Sequence, residues 1–256
     1  MKRNNFKIVA VTLVMAAIAM TVTFSCKPSK QTASASETAI QKISANVNGT
    51  GRALDFSFEK GKSFNHPTFV IWMEDTAGRF IQTLFVTRSF GSGTFTYGDK
   101  SEGQWKPGQV RRPAALPYWS HKAGAVKGMT NYIPDVNNPV PDAYTGATPA
   151  GNFTLDARSD KETPAVVKVF MEINQTWDWN EYWTNNKYPG DIEYQTSCQP
   201  AVVYSAIVDT RKPGAMVELK PIGRSHYSGA DGNLYTDLNT ITTALHIAEK
   251  VTVAVK

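Results

Sequence analysis

The sequence predicts an all-β protein on three observations. Runs of strand length either alternate apolar with polar residues or are rich in Val, Ile, Trp and Phe. Proline and glycine punctuate the gaps between these runs. Helical periodicity is convincing nowhere; residues 238–248 come nearest, and their Thr and Ile content argues for a strand or a short helix. Many short strands with turn signals between them read as an immunoglobulin-like β-sandwich. A long irregular insert, residues 106–149, interrupts it.

In order along the chain, Leu54, Phe56 and Phe58 alternate with Asp55, Ser57 and Glu59, which predicts a strand over 54–59. Residues 68–74 form a second, apolar run. Asp75-Thr76-Ala77-Gly78 supplies a turn and 79–88 returns, giving a hairpin. Further strands are expected at 94–97, 151–157, 166–174, 200–209, 215–221 and 251–255. The 106–149 insert is dense in Pro, Gly and Asn, and so long a connection inside a domain is functional or disordered. Residues 40–256 suffice for one β-sandwich domain, and the chain leaves open a division into two subdomains near 106–149.

Residues 1–25 have the layout of a secretory signal: Lys2, Arg3 and Lys7, then an uncharged apolar run over 8–24. That run approaches the ~17–20 residues of a spanning helix, so a retained membrane anchor is the alternative. Thr23-Phe24-Ser25-Cys26 resembles a bacterial lipoprotein box, which implies cleavage before Cys26 and its lipidation. Residues 26–39, rich in Ser, Thr, Ala and Lys, read as a flexible tether. No acidic cluster follows Cys26, so the expected location is periplasmic, on the outer membrane and facing the periplasm. Three of the 27 basic residues lie in the leader, leaving 24 against 22 acidic residues, a net +2. That balance carries no nucleic-acid footprint. Cys198 then has no partner for an intramolecular disulfide or a cysteine metal cluster, and reads as a small buried residue.

Asp142-Ala143-Tyr144-Thr145-Gly146-Ala147-Thr148 resembles the acceptor signature on which flavin transferases attach FMN through a phosphoester to the last hydroxyl. The resemblance implies covalent FMN on Thr148, with Asp142, Thr145, Gly146 and Ala147 shaping its surroundings. The residues alone also read as a turn in which Asp142 and Thr145 bond neighbouring amides and Gly146 takes a positive φ. Pro149-Ala150-Gly151 breaks any helix that would follow.

The segment Trp177-Asp178-Trp179-Asn180-Glu181-Tyr182-Trp183 alternates, which puts Trp177, Trp179 and Trp183 on one face. Facing solvent, those rings form a platform for a sugar, a flavin or a porphyrin; facing inward, they are core. The histidines His66, His121, His226 and His246 share no metal-ligand spacing, and no metal site is expected. His226 lies in a polar loop followed by Asp231 and Gly232, where it either binds an anion, joins His121 on a metal, or is solvated. Asp231 and Asp237 match no calcium loop. No Gly-x-Ser-x-Gly elbow or triad order is present, so the chain reads as non-catalytic, an electron carrier at most.

The run from Phe69 to Leu84, Tyr118-Trp119, the 142–148 segment with Pro149 and Gly151, and the run from Tyr204 to Asp209 together resemble the bacterial periplasmic "domain of unknown function 2271" family. That family is often labelled flagellar hook-capping-like. Leu155-Asp156-Ala157-Arg158 stands where the hook cap's Trp-Asp-Gly turn is expected, which argues against a flagellar role. The family's setting, beside PepSY-type membrane reductases and flavin transferases, implies a non-catalytic binding or accessory component of a membrane-associated redox or metal-uptake system. A membrane contact through the lipid and a periplasmic or membrane redox partner are expected, with no resident cofactor. The alternatives are a covalent FMN carrier flavinylated at Thr148 and a carbohydrate-binding or cell-envelope structural module.

Overall fold

Strand β1 (Gln41–Ala45) begins the computed structural model, which describes residues 40–256. The signal and tether expected over 1–25 and 26–39, with Cys26, lie outside the described residues. Strand β2 (Ala53–Lys60) follows, then the expected hairpin of β3 (Thr68–Asp75) and β4 (Phe80–Thr87). Its turn is made as its residues demand: Gly78 has φ +82° and Asp75 accepts from the Ala77 and Arg79 amides. A short helix, α1 (Arg88–Ser92), leads to a small separate hairpin of β5 (Thr94–Asp99) and β6 (Lys106–Gln109). Helix α2 (Pro117–Val126) precedes β7 (Thr145–Gly146), β8 (Phe153–Arg158) and β9 (Val166–Asn174). Helix α3 (Ile192–Ser197) precedes β10 (Val202–Asp209), β11 (Met216–Glu218), β12 (Lys220–Arg224) and β13 (Ala248–Val255).

The fold is the expected all-β sandwich. One sheet runs β1-β8-β2-β13-β11 and the other β12-β10-β9-β3-β4-β7. Segments before and after the 106–149 insert share both sheets, so no division falls there. Between the sheets, alternate residues of every long strand meet in an apolar core. Phe58 stacks on Phe153 at 4.8 Å, Phe153 on Phe69 at 5.4 Å, and Phe69 on Phe85 at 5.4 Å.

These rings also mark one end of the sandwich. Phe153 pairs with Gln41 and with Phe58, while Phe69 stands at the start of β3 beside the end of β9. The chain therefore enters β1 at the same end from which it leaves β9. We call this the Gln41 end.

The outer face of the second sheet carries a second core. There the insert, expected to be irregular, supplies α2. Trp119 is buried against Phe90 and Tyr132 at 6.0 and 5.7 Å, and its Nε1 donates to Thr83 Oγ1 at 3.0 Å. Pro117 suits the first helical turn, but Leu116 at the N-cap has no side-chain oxygen for the orphan amides. A carboxylate from the sheet serves instead. Glu172 on β9 accepts from the Tyr118 amide at 3.2 Å and the Trp119 amide at 2.8 Å. Burial pushes its carboxyl up to about 8, against the downward pull of those two amides.

Helices α1 and α3 and strands β6 and β7 were not expected, and three further stretches bear on the sequence reading. Strand β1 was not expected, because Gln41-Lys42-Ile43-Ser44-Ala45 is a largely exposed edge with little apolar alternation. The strand expected over 215–221 is two strands in different sheets, broken at the buried Leu219. The stretch 238–248 takes the short-helix form, a single 3-10 turn at Thr243–His246.

Candidate functional site

The acceptor-like segment spans the crossing from one sheet to the other. Asp142–Tyr144 is a 3-10 turn, and Thr145–Gly146 is β7, paired parallel with Val86 and Thr87 of β4. Thr145 Oγ1 donates to the Asp142 carbonyl at 3.3 Å, a bond within the turn but to a carbonyl where an amide was expected. Gly146, however, is absent from the residues with positive φ. It is glycine for want of room, since a Cβ there would meet the Phe85 ring at 2.7 Å. Beyond β7, Ala147 is exposed, Thr148 half-buried and Pro149 buried. The Ala150 amide donates to Gln41 Oε1 at 3.4 Å, and the Gln41 amide to the Asn152 carbonyl at 3.0 Å. Thr148 thus lies at the Gln41 end, with solvent access and without a strand partner.

The tryptophan segment leaves β9 at that same end, where Gln175 Oε1 accepts from the Asn65 amide at 2.6 Å. It is not a strand. Trp177 has φ +57°, which breaks the extended backbone that alternation requires. The single face expected for the three rings is accordingly not formed: Trp183 is 3% exposed, whereas Trp177 and Trp179 are each 59% exposed.

The segment is nevertheless held firmly. Asn180 Oδ1 accepts from the Tyr182 and Trp183 amides at 2.9 and 2.7 Å, and its Nδ2 donates to the Thr240 carbonyl at 2.8 Å. Trp183 Nε1 donates to Thr240 Oγ1 at 3.1 Å. The amides of Trp177 and Asp178 donate to the carbonyls of Thr196 and Ser197, both at 3.0 Å. Thr243 Oγ1 donates to Asp178, whose carboxyl burial pushes up. Cys198 is buried as expected, and burial raises its thiol.

His226 belongs to an aromatic group that the sequence did not disclose. Its ring stacks on Tyr227 at 4.3 Å; Tyr227 stacks on Tyr188 at 4.2 Å, and Tyr194 meets Tyr188 edge-on at 4.9 Å. His226 Nδ1 accepts from the Ser228 and Ala230 amides at 3.2 and 3.3 Å, and burial holds its pKa down, so the ring is the neutral form turned inward on its own loop. Arg224 closes the group. Its guanidinium lies 4.7 Å from the Tyr235 ring and 5.3 Å from the Trp183 ring, and donates to Asp237 at 2.9 Å.

His121 comes close to this loop: a Cβ on Gly232 would strike the His121 side chain at 2.3 Å. His121 Nδ1 contacts the Pro117 carbonyl at 2.9 Å. Among the described residues no three His, Cys, Asp or Glu side chains converge as metal ligands. His66 and His246 are exposed at loop and turn positions.

Sequence reasoning missed Arg224, Tyr188, Tyr194, Tyr227 and Tyr235. Tyr227 adjoins His226 and was within reach of it, but its partners come from segments 30 to 40 residues upstream with only aromatic density to mark them. Compared with known protein families, curated proteins and solved structures, this chain matches none.

Proposed function

We propose that this chain is an exported, lipid-anchored binding module, a non-catalytic accessory component of a membrane-associated redox or metal-uptake system. The observation that carries the proposal is the coincidence at the Gln41 end. The chain joins the sandwich there after a leader and tether of the lipoprotein kind, and there Trp177 and Trp179 stand exposed on a braced segment. A ring that is exposed yet fixed loses little conformational entropy on contact, which suits a recognition surface. Both exposed rings lie at the end of the sandwich where β1 begins, which favours contact with a membrane-bound partner.

Two measurements test this. Cell fractionation should find the full chain with membranes and the Cys26→Ala variant in the soluble periplasmic extract; a variant that stays with membranes refutes the lipid anchor. A photocrosslinking side chain at position 179 should trap a membrane component that the same side chain at Lys212, exposed beyond β10 at the opposite end of the sandwich, does not. Equal trapping at both positions refutes the recognition surface.

A second reading, covalent FMN on Thr148, has one observation in its favour: Thr148 follows the exposed Ala147 in an unpaired link. Co-expression with a flavin transferase should then add an FMN-sized mass that Thr148→Ala removes. An unmodified wild-type chain rules it out.

A further inference from the structure

Helix α2 covers only part of the outer face of the second sheet. Along its β9-β10-β12 side it leaves an open cleft of about 490 Å³. Phe170 and Ile222 contribute apolar surface from the sheet, Tyr118 forms a wall from the helix, and Ser205, Lys122 and Lys168 bring polar groups. Ile207, 64% exposed, extends the apolar surface at the rim. An apolar hollow of this size with a few polar groups is the usual composition of a small-molecule site.

The charges do not cancel. Glu74 is the carboxylate of the cleft, and both its oxygens are engaged: Oε1 accepts from Trp72 Nε1 at 3.0 Å, Oε2 from Lys122 Nζ at 3.2 Å. Lys168 sits opposite Glu74 in the β3–β9 register, yet among the described residues no carboxylate lies within ion-pairing distance of it. Two ammonium groups thus face one carboxylate across apolar ground, leaving one positive charge without a counterion. Strand alternation puts Lys168 on this outer face by the same rule that turns Val167 and Val169 inward.

We propose that this cleft binds a small amphipathic anion, an apolar ring or chain bearing one anionic head, with Lys168 at the head and Phe170, Ile222 and Tyr118 around the body. The site is separate from the Gln41-end surface and does not depend on the function proposed above.

The test uses the Thr38–Lys256 unit, a compact unit in its own right, titrated with 8-anilino-1-naphthalenesulfonate and with neutral N-phenyl-1-naphthylamine, both read by fluorescence. Lys168→Gln, which removes the charge and keeps a polar side chain, should weaken the sulfonate at least about 10-fold and the neutral probe less than about 2-fold. Ser205→Trp, filling the hollow, should abolish both, with circular-dichroism melting to establish that each variant folds. The proposal is overturned if the wild type fails to bind the sulfonate at ~1 mM, if Lys168→Gln binds it as the wild type does, or if Ser205→Trp leaves both probes bound.

Discussion

The inner and outer faces of the β12-β10-β9-β3-β4-β7 sheet solve burial in different ways. The inner face meets another sheet, and alternation alone is sufficient: Phe69 from β3 stacks on Phe58 and Phe153 from across the sandwich, and Ile71 and Met73 are buried in the same apolar core. The outer face meets a helix drawn from the insert, and that helix arrives with unpaired amides. The sheet answers with buried Glu172, which accepts from two of those amides, while buried Glu74 pairs with the Lys122 side chain of the helix. A face closed by strands needs only apolar atoms, whereas a face closed by a helix end needs an acceptor as well, and with it a dependence on pH.

The largest expected effect is on the inner face. Phe69→Ala, which removes the ring shared by Phe58, Phe85 and Phe153, should cost about 3–5 kcal/mol in urea unfolding, by the same amount at pH 6 and pH 9. A loss that varied with pH would blur the distinction between the faces.

On the outer face, Glu172→Ala should cost about 1–3 kcal/mol by leaving buried amides without an acceptor. The sign of its pH dependence follows from burial, which raises the folded carboxyl from an ordinary 4.5 to about 8. The folded chain keeps a proton that the unfolded chain gives up over that interval. This contribution is therefore whole below about 4.5 and is lost as pH rises through about 8. Wild-type melting should fall between pH 6 and pH 9, and Glu172→Gln, a mimic of the protonated acid, should flatten the fall. A Glu172→Gln profile parallel to wild type would remove the pH argument.

Gly146→Ala forces a methyl group against Phe85 and should cost about 1–3 kcal/mol, read in calorimetry together with faster amide exchange over 145–146. The smallest effect belongs to neither face: Trp177→Ala and Trp179→Ala should each move stability by less than about 0.5 kcal/mol, since both rings are largely exposed. A larger loss would make them structural and weaken their assignment to recognition.

The inner face was legible in the sequence, because 54–59 writes its buried side at every second residue and 68–74 is a continuous apolar run of strand length. The outer face was not legible. In Val166-Val167-Lys168-Val169-Phe170-Met171-Glu172-Ile173-Asn174 the polar alternates suggest water, and only the roof contributed by 117–126 makes Glu172 interior. That roof was hidden in turn, since Pro117-Tyr118-Trp119-Ser120-His121-Lys122-Ala123-Gly124-Ala125-Val126 has no clear apolar stripe and lies among prolines and glycines. Aromatic density pointed to the Trp177 region, but the positive φ of Trp177, invisible in sequence, decided which rings face out.

Strand β1 runs parallel to β8 in unbroken register from Gln41↔Phe153 to Ala45↔Ala157 and begins at the end through which the preceding chain arrives. A pull on β1 directed along the strand axis loads the row of β1–β8 bonds in shear instead of opening them singly as a zip, so the outermost strand, thinly buried as it is, resists such a pull over its whole length.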